Sequence, residues 1–502
     1  MKKIILMILT GICLTVFQSC SDWLDVQPKT ELGSDVMFET EQGVKDALYG
    51  CYMLLSDSKL YGAEMTCTFM DVLGQQYSLP HATQNYYYNA ASYVYTDASC
   101  EGIIYGIWSG LYNAIANVNA LLGGLENGKE RFDPMFYSLV KAEGYALRAF
   151  IYTDLVRIFT WGDLPHRSEK LQEFSIPYAK VYDKDIIPQS KLEDVLKYIH
   201  EDLETALALF DQYDPMSVTG NRPEDYVEYE NDDPFYGKSA RQFRMNIKAA
   251  LAVRMRLNLW EGNYTAAYAD AKILIEKYQL SFTAGLDRDK NMRDLTFSSE
   301  MLFGLETFNR YEQIVEKYFQ VITGVTSSEN NNALCLTSAL YQDIFETSSC
   351  GATDVRPNYQ WTLETQTGDY KFIKFDEYDD MKYKNLVPLI RPSEIYYAAA
   401  ECALLEGDKN SAIGYVNTVR NGRGIPKDKD LSFNLSAEEA EEELFKERRK
   451  EFIGDGQMFY YYKRKGYSNI PNALGTITID DKVYVLPLPQ DEVDFGGRVE
   501  LK

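Results

Sequence analysis

Two stretches of this chain share one pattern, and the pattern leaves little choice of local fold. Leu259-Trp260-Glu261-Gly262-Asn263-Tyr264-Thr265-Ala266-Ala267 and Leu404-Leu405-Glu406-Gly407-Asp408-Lys409-Asn410-Ser411-Ala412 both read L-x-E-G-[ND]-x-x-x-A, 145 residues apart. A glycine after a periodic apolar run stops a helix, because it accepts the left-handed backbone conformation without a Cβ clash. The Asn or Asp that follows caps the next helix through its side-chain oxygen. Around the second copy, Pro392 suits a first helical turn, and Ile395, Ala398, Ala399 and Cys402 recur at helical spacing. Ala412, Val416 and Val419 share a face of the second helix, which Gly422, Gly424 and Pro426 end. Ala398, Ala399, Ala400, Ala403 and Ala412 let the helices approach to about 8–10 Å between axes. So short a connection makes them antiparallel.

This unit resembles the tetratricopeptide helix pair, in which small residues sit where two helices cross. Copies 145 residues apart do not form a regular array, so a helical scaffold broken by long insertions is expected. Further helical periodicity runs through Thr40–Ser56, from Trp108 through Tyr112 and Ile115, and through Ala142–Phe150 toward Pro165. It returns at Leu192–Phe210, Gln242–Glu261 and Tyr264–Lys277. Residues 57–100 lose the period and gain tyrosines, residues 211–236 read as an acidic loop, and 281–385 read as an irregular subdomain with a few short strands. Long insertions in compact proteins tend to carry function. Near the end, Ser436-Ala437-Glu438-Glu439 is a capping box, and acids then bases follow along the helix in the order its dipole favours. Val483–Pro489 reads as extended.

Composition narrows the function. With 502 residues and 45% hydrophobic content, a large core is available without disulfides. Eight cysteines show no framework spacing, and Cys402 reads as a buried thiol. Three scattered histidines offer no zinc motif, and no G-x-S-x-G elbow occurs. Asp287-x-Asp289-x-Asn291 opens like a calcium loop, but Met292 replaces the turn glycine, so no metal and no cofactor are expected. A net charge of −24 repels phosphate backbones and argues against nucleic acid.

The N-terminus carries a targeting signal. Lys2 and Lys3 precede an apolar run from Ile4 to Phe17, of signal-peptide length and too short to span a bilayer. It ends at Ser19-Cys20, a loose lipobox: cleavage before Cys20 would leave that cysteine lipidated and the protein firmly anchored. The competing reading is an ordinary signal peptide with an incidental cysteine.

Taken in order, these blocks resemble the SusD/RagB family of outer-membrane nutrient-binding lipoproteins. The blocks are Cys20; W-x-x-x-Y-x-x-I at Trp108; AEGYALRAF ending in GDLP; the run from Arg244 to EGNY; IRPSEIYYAAAE through VNTVRNGRG; E-R-R-x-E at Glu447–Glu451; and the C-terminal LPLP. One departure is visible: at Gly454–Arg464 aromatics replace an Arg and an Asp usual in the family, so a buried ion pair is expected to be missing there. The resemblance implies a mainly α fold of about four tetratricopeptide-like helix pairs (scaffold 40–56, 101–278 and 386–466) with irregular insertions at 57–100 and 281–385. Residues 1–19 are then the signal peptide, 20–39 a lipidated tether and 40–502 one SusD-like domain. It further implies outer-membrane anchoring, a SusC-like TonB-dependent barrel as partner, and capture of a nutrient without catalysis. Glycans are the commonest ligand of the family and peptides the alternative. A peptide-binding helical adaptor and an α-helical glycoside hydrolase are the competing classes.

A sugar site needs aromatic faces beside carboxylate, amide or arginine hydrogen bonders. Of 39 tyrosines, most pack helices; Tyr86, Tyr87, Tyr88, Tyr93 and Tyr95, in the first insertion, are the best candidates for ligand contact. Tyr359 and Trp361 are the second group. No catalytic residue is proposed.

Overall fold

The computed structural model describes residues 37–79, 82–282, 294–320, 332–347, 353–378, 381–473 and 477–501. The signal peptide, Cys20, most of the tether and the Asp287–Asn291 loop lie outside the described residues. The fold is mainly α. Among the described residues, the helices of the stack follow in order: α1 Glu41–Leu55, α2 Ala98–Asn127, α3 Pro134–Phe159, α4 Leu192–Tyr213, α5 Ile247–Glu261, α6 Tyr264–Lys272, α7 Pro392–Leu405 and α8 Lys409–Gly422. Each packs on the next, so they stack as four consecutive pairs, α1–α2, α3–α4, α5–α6 and α7–α8. Two further helices, α9 Ala437–Glu451 and α10 Met458–Arg464, complete the scaffold, and α9 lies against α7 and α8.

The repeated pattern does what its residues dictate. Gly262 and Gly407 both sit at φ +81°. Asn263 accepts from the Ala266 N–H, and Asp408 from the Ser411 N–H at 3.0 Å, so each caps its helix. Ala267 and Ala412 are buried at the crossings. The two copies also meet in space, because α6 packs on α7 and the rings of Tyr268 and Tyr415 meet edge-on. The intervening chain therefore leaves the stack and returns to it. Helix starts match the sequence reading at Thr40, which caps α1, at Pro392, and at Ser436–Glu439, where both capping-box bonds form. The tail departs from it: Asp481–Tyr484 forms a helical turn before the chain extends.

The strands are short and antiparallel. β1 Phe174–Pro177 pairs with β2 Gln189–Lys191, and β3 Phe303–Glu306 with β7 Leu386–Ile390. β4 Cys335–Leu336, β6 Tyr370–Phe372 and β5 Trp361–Leu363 form a three-stranded sheet in that order. The β3–β7 pair ties the irregular region to the residue run that leads into α7.

The α9 charges follow the order that the dipole favours, yet those of its last turns are buried. Glu447, Arg448, Arg449, Lys450 and Glu451 are all buried. Glu451 receives Arg391 and Arg423 at 2.7 Å, with Arg356 at 3.5 Å, and Glu447 receives Arg356 at 2.8 Å and Arg420 at 2.7 Å. Burial alone would push both carboxyls up; the guanidiniums overcome it and hold both well below the usual range. The expected loss of ion pairing at Gly454–Arg464 is also corrected. Asp455 takes Lys374 at 2.7 Å and also Arg391, while Arg464 forks onto Glu401 with two bonds of 2.7 Å. Of the α10 aromatics, Tyr461 lies under the Arg464 guanidinium at 5.7 Å.

The first insertion folds inward. Nearly every residue from Leu60 to Tyr77 is buried, and Asp71 accepts N–H bonds from Gly454 and Gly456 across the molecule. Cys51, Cys67, Cys100, Cys335 and Cys402 are buried free thiols.

Candidate functional site

An open groove of about 1170 Å³ runs between α1, the Pro234–Arg244 segment and the far end of the β3–β7 pair. Its shape begins with two asparagines. Asn309 and Asn385 both adopt the left-handed conformation, φ +50° and +58°, which Asn tolerates better than most side chains. They turn the chain beyond β3 and before β7, where the ladder ends at Glu306 opposite Leu386. Asn385 braces the turn: its backbone carbonyl accepts from the Thr307 N–H at 2.7 Å and its side-chain oxygen from the Arg310 N–H at 3.0 Å. Glu377 accepts from the Asn385 N–H at 2.6 Å and pairs with Arg310 Nε at 2.8 Å.

The consequence is an apolar rim held out by a rigid base. Phe308, between the turn and the strand, is 87% exposed, and Met53 across the groove on α1 is 72% exposed. Tyr49 and Phe243 add further aromatic surface. Glu306, Asn309 and Gln313 supply carboxylate and amide groups beside them. Below lies a fixed polar floor. The Tyr52 hydroxyl donates to Glu143 at 2.7 Å and accepts from the Met245 N–H. Arg244 donates twice to Glu143 and lies over the Phe235 ring at 4.5 Å. Burial, reinforced by Glu143, raises the Tyr52 phenol well above its usual pKa, so it stays a neutral donor. Burial opposes the Glu143 carboxylate, but Arg244 and Arg241 hold its pKa down. The floor is thus locked, while the rim side chains are open to a ligand.

None of the seven aromatics singled out from the sequence lines this groove. Tyr87 is fully buried; its hydroxyl donates to Glu64 at 3.1 Å and its ring meets Tyr318. Tyr93, at φ +57°, donates to the Leu73 carbonyl and accepts from Gln75, and Tyr95 donates to the Val483 carbonyl at 2.7 Å. Trp361 is buried against Phe372. These four brace the core, because each ring lies on the inward side of its segment, and the three tyrosines also find a buried acceptor for the hydroxyl. Tyr86 is 41% exposed, Tyr88 half-buried and Tyr359 exposed, so these three remain reachable. Tyr86 and Tyr87 meet edge-on, as do Tyr93 and Tyr95, so the cluster is real but mostly faces inward. Tyr318 belongs to the same π-helical turn, Tyr311–Phe319, as the groove residue Gln313.

The sequence reading missed Phe308, Tyr49 and Met53. The first sits in a stretch without periodicity, and the other two are the outer positions of α1, opposite its buried Val44, Leu48, Cys51 and Leu55. That opposite-face placement was the one available signal. Among the described residues no group of three His, Cys, Asp or Glu side chains is arranged to hold a metal ion, and no helix is long and apolar enough to cross a membrane.

Comparison with known proteins agrees with this architecture. The model of the SusD family matches residues 346–495, and the model described as starch-binding associating with outer membrane matches residues 22–223. The SusD-like protein P2 of Formosa agariphila is 23% identical, with 96% of each chain covered; SusD-like protein P38 of the same organism is 21% identical over 91% of this chain and 90% of its own. A SusD superfamily protein of Bacteroides thetaiotaomicron superposes with a TM-score of 0.67 at 21% identity, covering 91% of this chain and 98% of that one. A SusD-like carbohydrate binding protein of Bacteroides vulgatus gives 0.64 at 17% identity, covering 90% and 96%. The helical-pair fold defines the class, and the chain belongs to the SusD/RagB family.

Proposed function

We propose that this protein captures an oligosaccharide or polysaccharide at the bacterial outer membrane and passes it to a SusC-like TonB-dependent barrel. The groove carries the reading. It sets exposed Phe308, Tyr49 and Met53 beside Glu306, Asn309 and Gln313, the pairing of flat apolar faces with directional hydrogen bonders that sugar rings require. The starch-binding description of the matching family supports the same ligand class. On this proposal the chain is a signal peptide, 1–19, then a tether lipidated at Cys20, then one domain from residue 40. Tyr86, Tyr88 and Tyr359 are secondary contact candidates. On this reading the protein binds without cleaving; the groove carboxylates are Asp57, Glu306 and Glu377, and of these Glu377 is committed to Arg310 and Asn385.

The test is calorimetric titration of the mature protein with starch-derived and other plant oligosaccharides, for the native chain and Phe308→Ala. Saturable binding that weakens roughly tenfold in the variant is expected, with no shortened product on prolonged incubation. Binding of unchanged affinity in Phe308→Ala would place the site elsewhere, and release of shorter sugars would make the protein an enzyme. Replacing Cys20 by Ser and fractionating cells tests the anchor; a variant still held in the membrane refutes it.

A further inference from the structure

A second space lies inside the scaffold and shares no lining residue with the groove. It is a cavity of about 50 Å³ where α3, α5, α7, α9 and α10 converge. A water needs about 10–15 Å³ by the same measure, so the cavity has room for a small polar guest.

Its wall is markedly cationic. Four guanidiniums line it: Arg157, Arg256, Arg448 and Arg464. Three carboxylates answer them. Asp154 pairs with Arg157 at 2.7 Å, Glu394 with Arg256 at 2.8 Å, and Glu401 is shared by Arg464 at 2.7 Å and Arg448 at 3.0 Å. Lys465 lies 3.9 Å from Glu401 but is paired with Glu441 at 2.9 Å, so the excess is that of four guanidiniums over three carboxylates. Arginine does not shed its proton in a protein, so this excess persists at any physiological pH. The hydrogen-bond inventory leans the same way. Trp260 Nε1, Arg448 Nε and the Tyr460 hydroxyl are buried and lack a hydrogen-bond partner. All three belong to lining side chains, and all three can donate. Burial lowers the Arg157 pKa against the pull of Asp154, and neighbouring Arg256 adds to the fall, as expected where positive charge is under-compensated. Unmatched buried charge and idle donors are costly, and one guest answers both.

We propose that this cavity is a structural binding site for a small monovalent anion of the chloride class, which neutralises the excess arginine charge and accepts from Arg448, Tyr460 and Trp260. Its size excludes nucleotides and sugars. Glu394 and Gln457, the half-buried members of the lining, mark the way in.

The test begins with purified mature protein dialysed into sodium gluconate, whose anion is too large to enter. Bromide is then titrated in at constant ionic strength while thermal unfolding is followed. The expected result is a saturable rise in Tm, on the order of 2 °C. Crystals grown in bromide should show an anomalous peak within hydrogen-bond reach of Arg448 Nε and Tyr460. Tyr460→Phe keeps the ring, which stacks on Arg157 at 3.7 Å, and removes only the hydroxyl. Its midpoint for bromide should rise roughly tenfold, a loss in line with one charge-assisted hydrogen bond. Identical melting in bromide and gluconate, with water alone in the cavity, overturns the proposal. So does a bromide response that Tyr460→Phe leaves unchanged.

Discussion

The first insertion and the Phe308 turn of the groove rim are both aromatic, both lie outside the helical repeat, and they have opposite fates. The insertion turns Tyr87, Tyr93 and Tyr95 into the core, where each hydroxyl meets a buried acceptor. The rim holds Phe308 almost wholly in solvent, on a turn cross-braced by Asn385, Glu377 and Arg310. Aromatic density therefore marks structure as readily as binding. What separates the two is whether the backbone beneath the ring faces the stack or leaves it.

The largest expected effect is on the structural side. Tyr87→Ala removes a fully buried ring and one of the two hydroxyl donors to Glu64, the other being Thr68, and should cost about 3–5 kcal/mol in chemical denaturation. A change within experimental error would mean that the insertion is not part of the core. Next comes acid sensitivity. Burial opposes the charged form of Glu401, but Arg464 and Arg448 hold its pKa near 2 against an ordinary 4.5. A depressed folded-state pKa adds stability above pH 4.5 that drains away as the pH falls toward 2. The contribution is about 3 kcal/mol, and Glu401→Gln should flatten that part of the Tm profile. Equal slopes for both proteins would show that Glu401 does not report the paired state.

The rim behaves in reverse. Phe308→Ala should change stability by less than about 0.5 kcal/mol, yet weaken glycan binding roughly tenfold, about 1.4 kcal/mol. The smallest effect belongs to Tyr86→Ala, within about 0.5 kcal/mol in stability and silent in binding if the groove is the site. Should Tyr86→Ala abolish binding while Phe308→Ala does not, the assignment of the two regions is exchanged.

Much of the scaffold was legible because its signals are local. A glycine at φ +81°, an Asn or Asp cap, a proline at the first turn and a capping box each act within four residues, and each is read from spacing alone. The site was less legible, since the groove draws on α1, the Pro234–Arg244 segment, the turn after β3 and the turn before β7. Nothing in residues 304–313 announces that Phe308 projects outward. The α9 charges mislead for a related reason: acids before bases also suits an exposed helix, and only partners such as Arg356 and Arg391, at least 56 residues away, reveal the run as buried.

The sequence by itself determined that the chain forms paired helices, where the capped ones begin or end, and to which family the blocks belong, because capping and small-residue packing are decided by near neighbours. The tertiary structure alone decided which tyrosines are core, how Glu447 and Glu451 are neutralised, and where an open groove lies. Those outcomes depend on the direction a side chain faces once distant segments meet, and that direction is set by the stack as a whole.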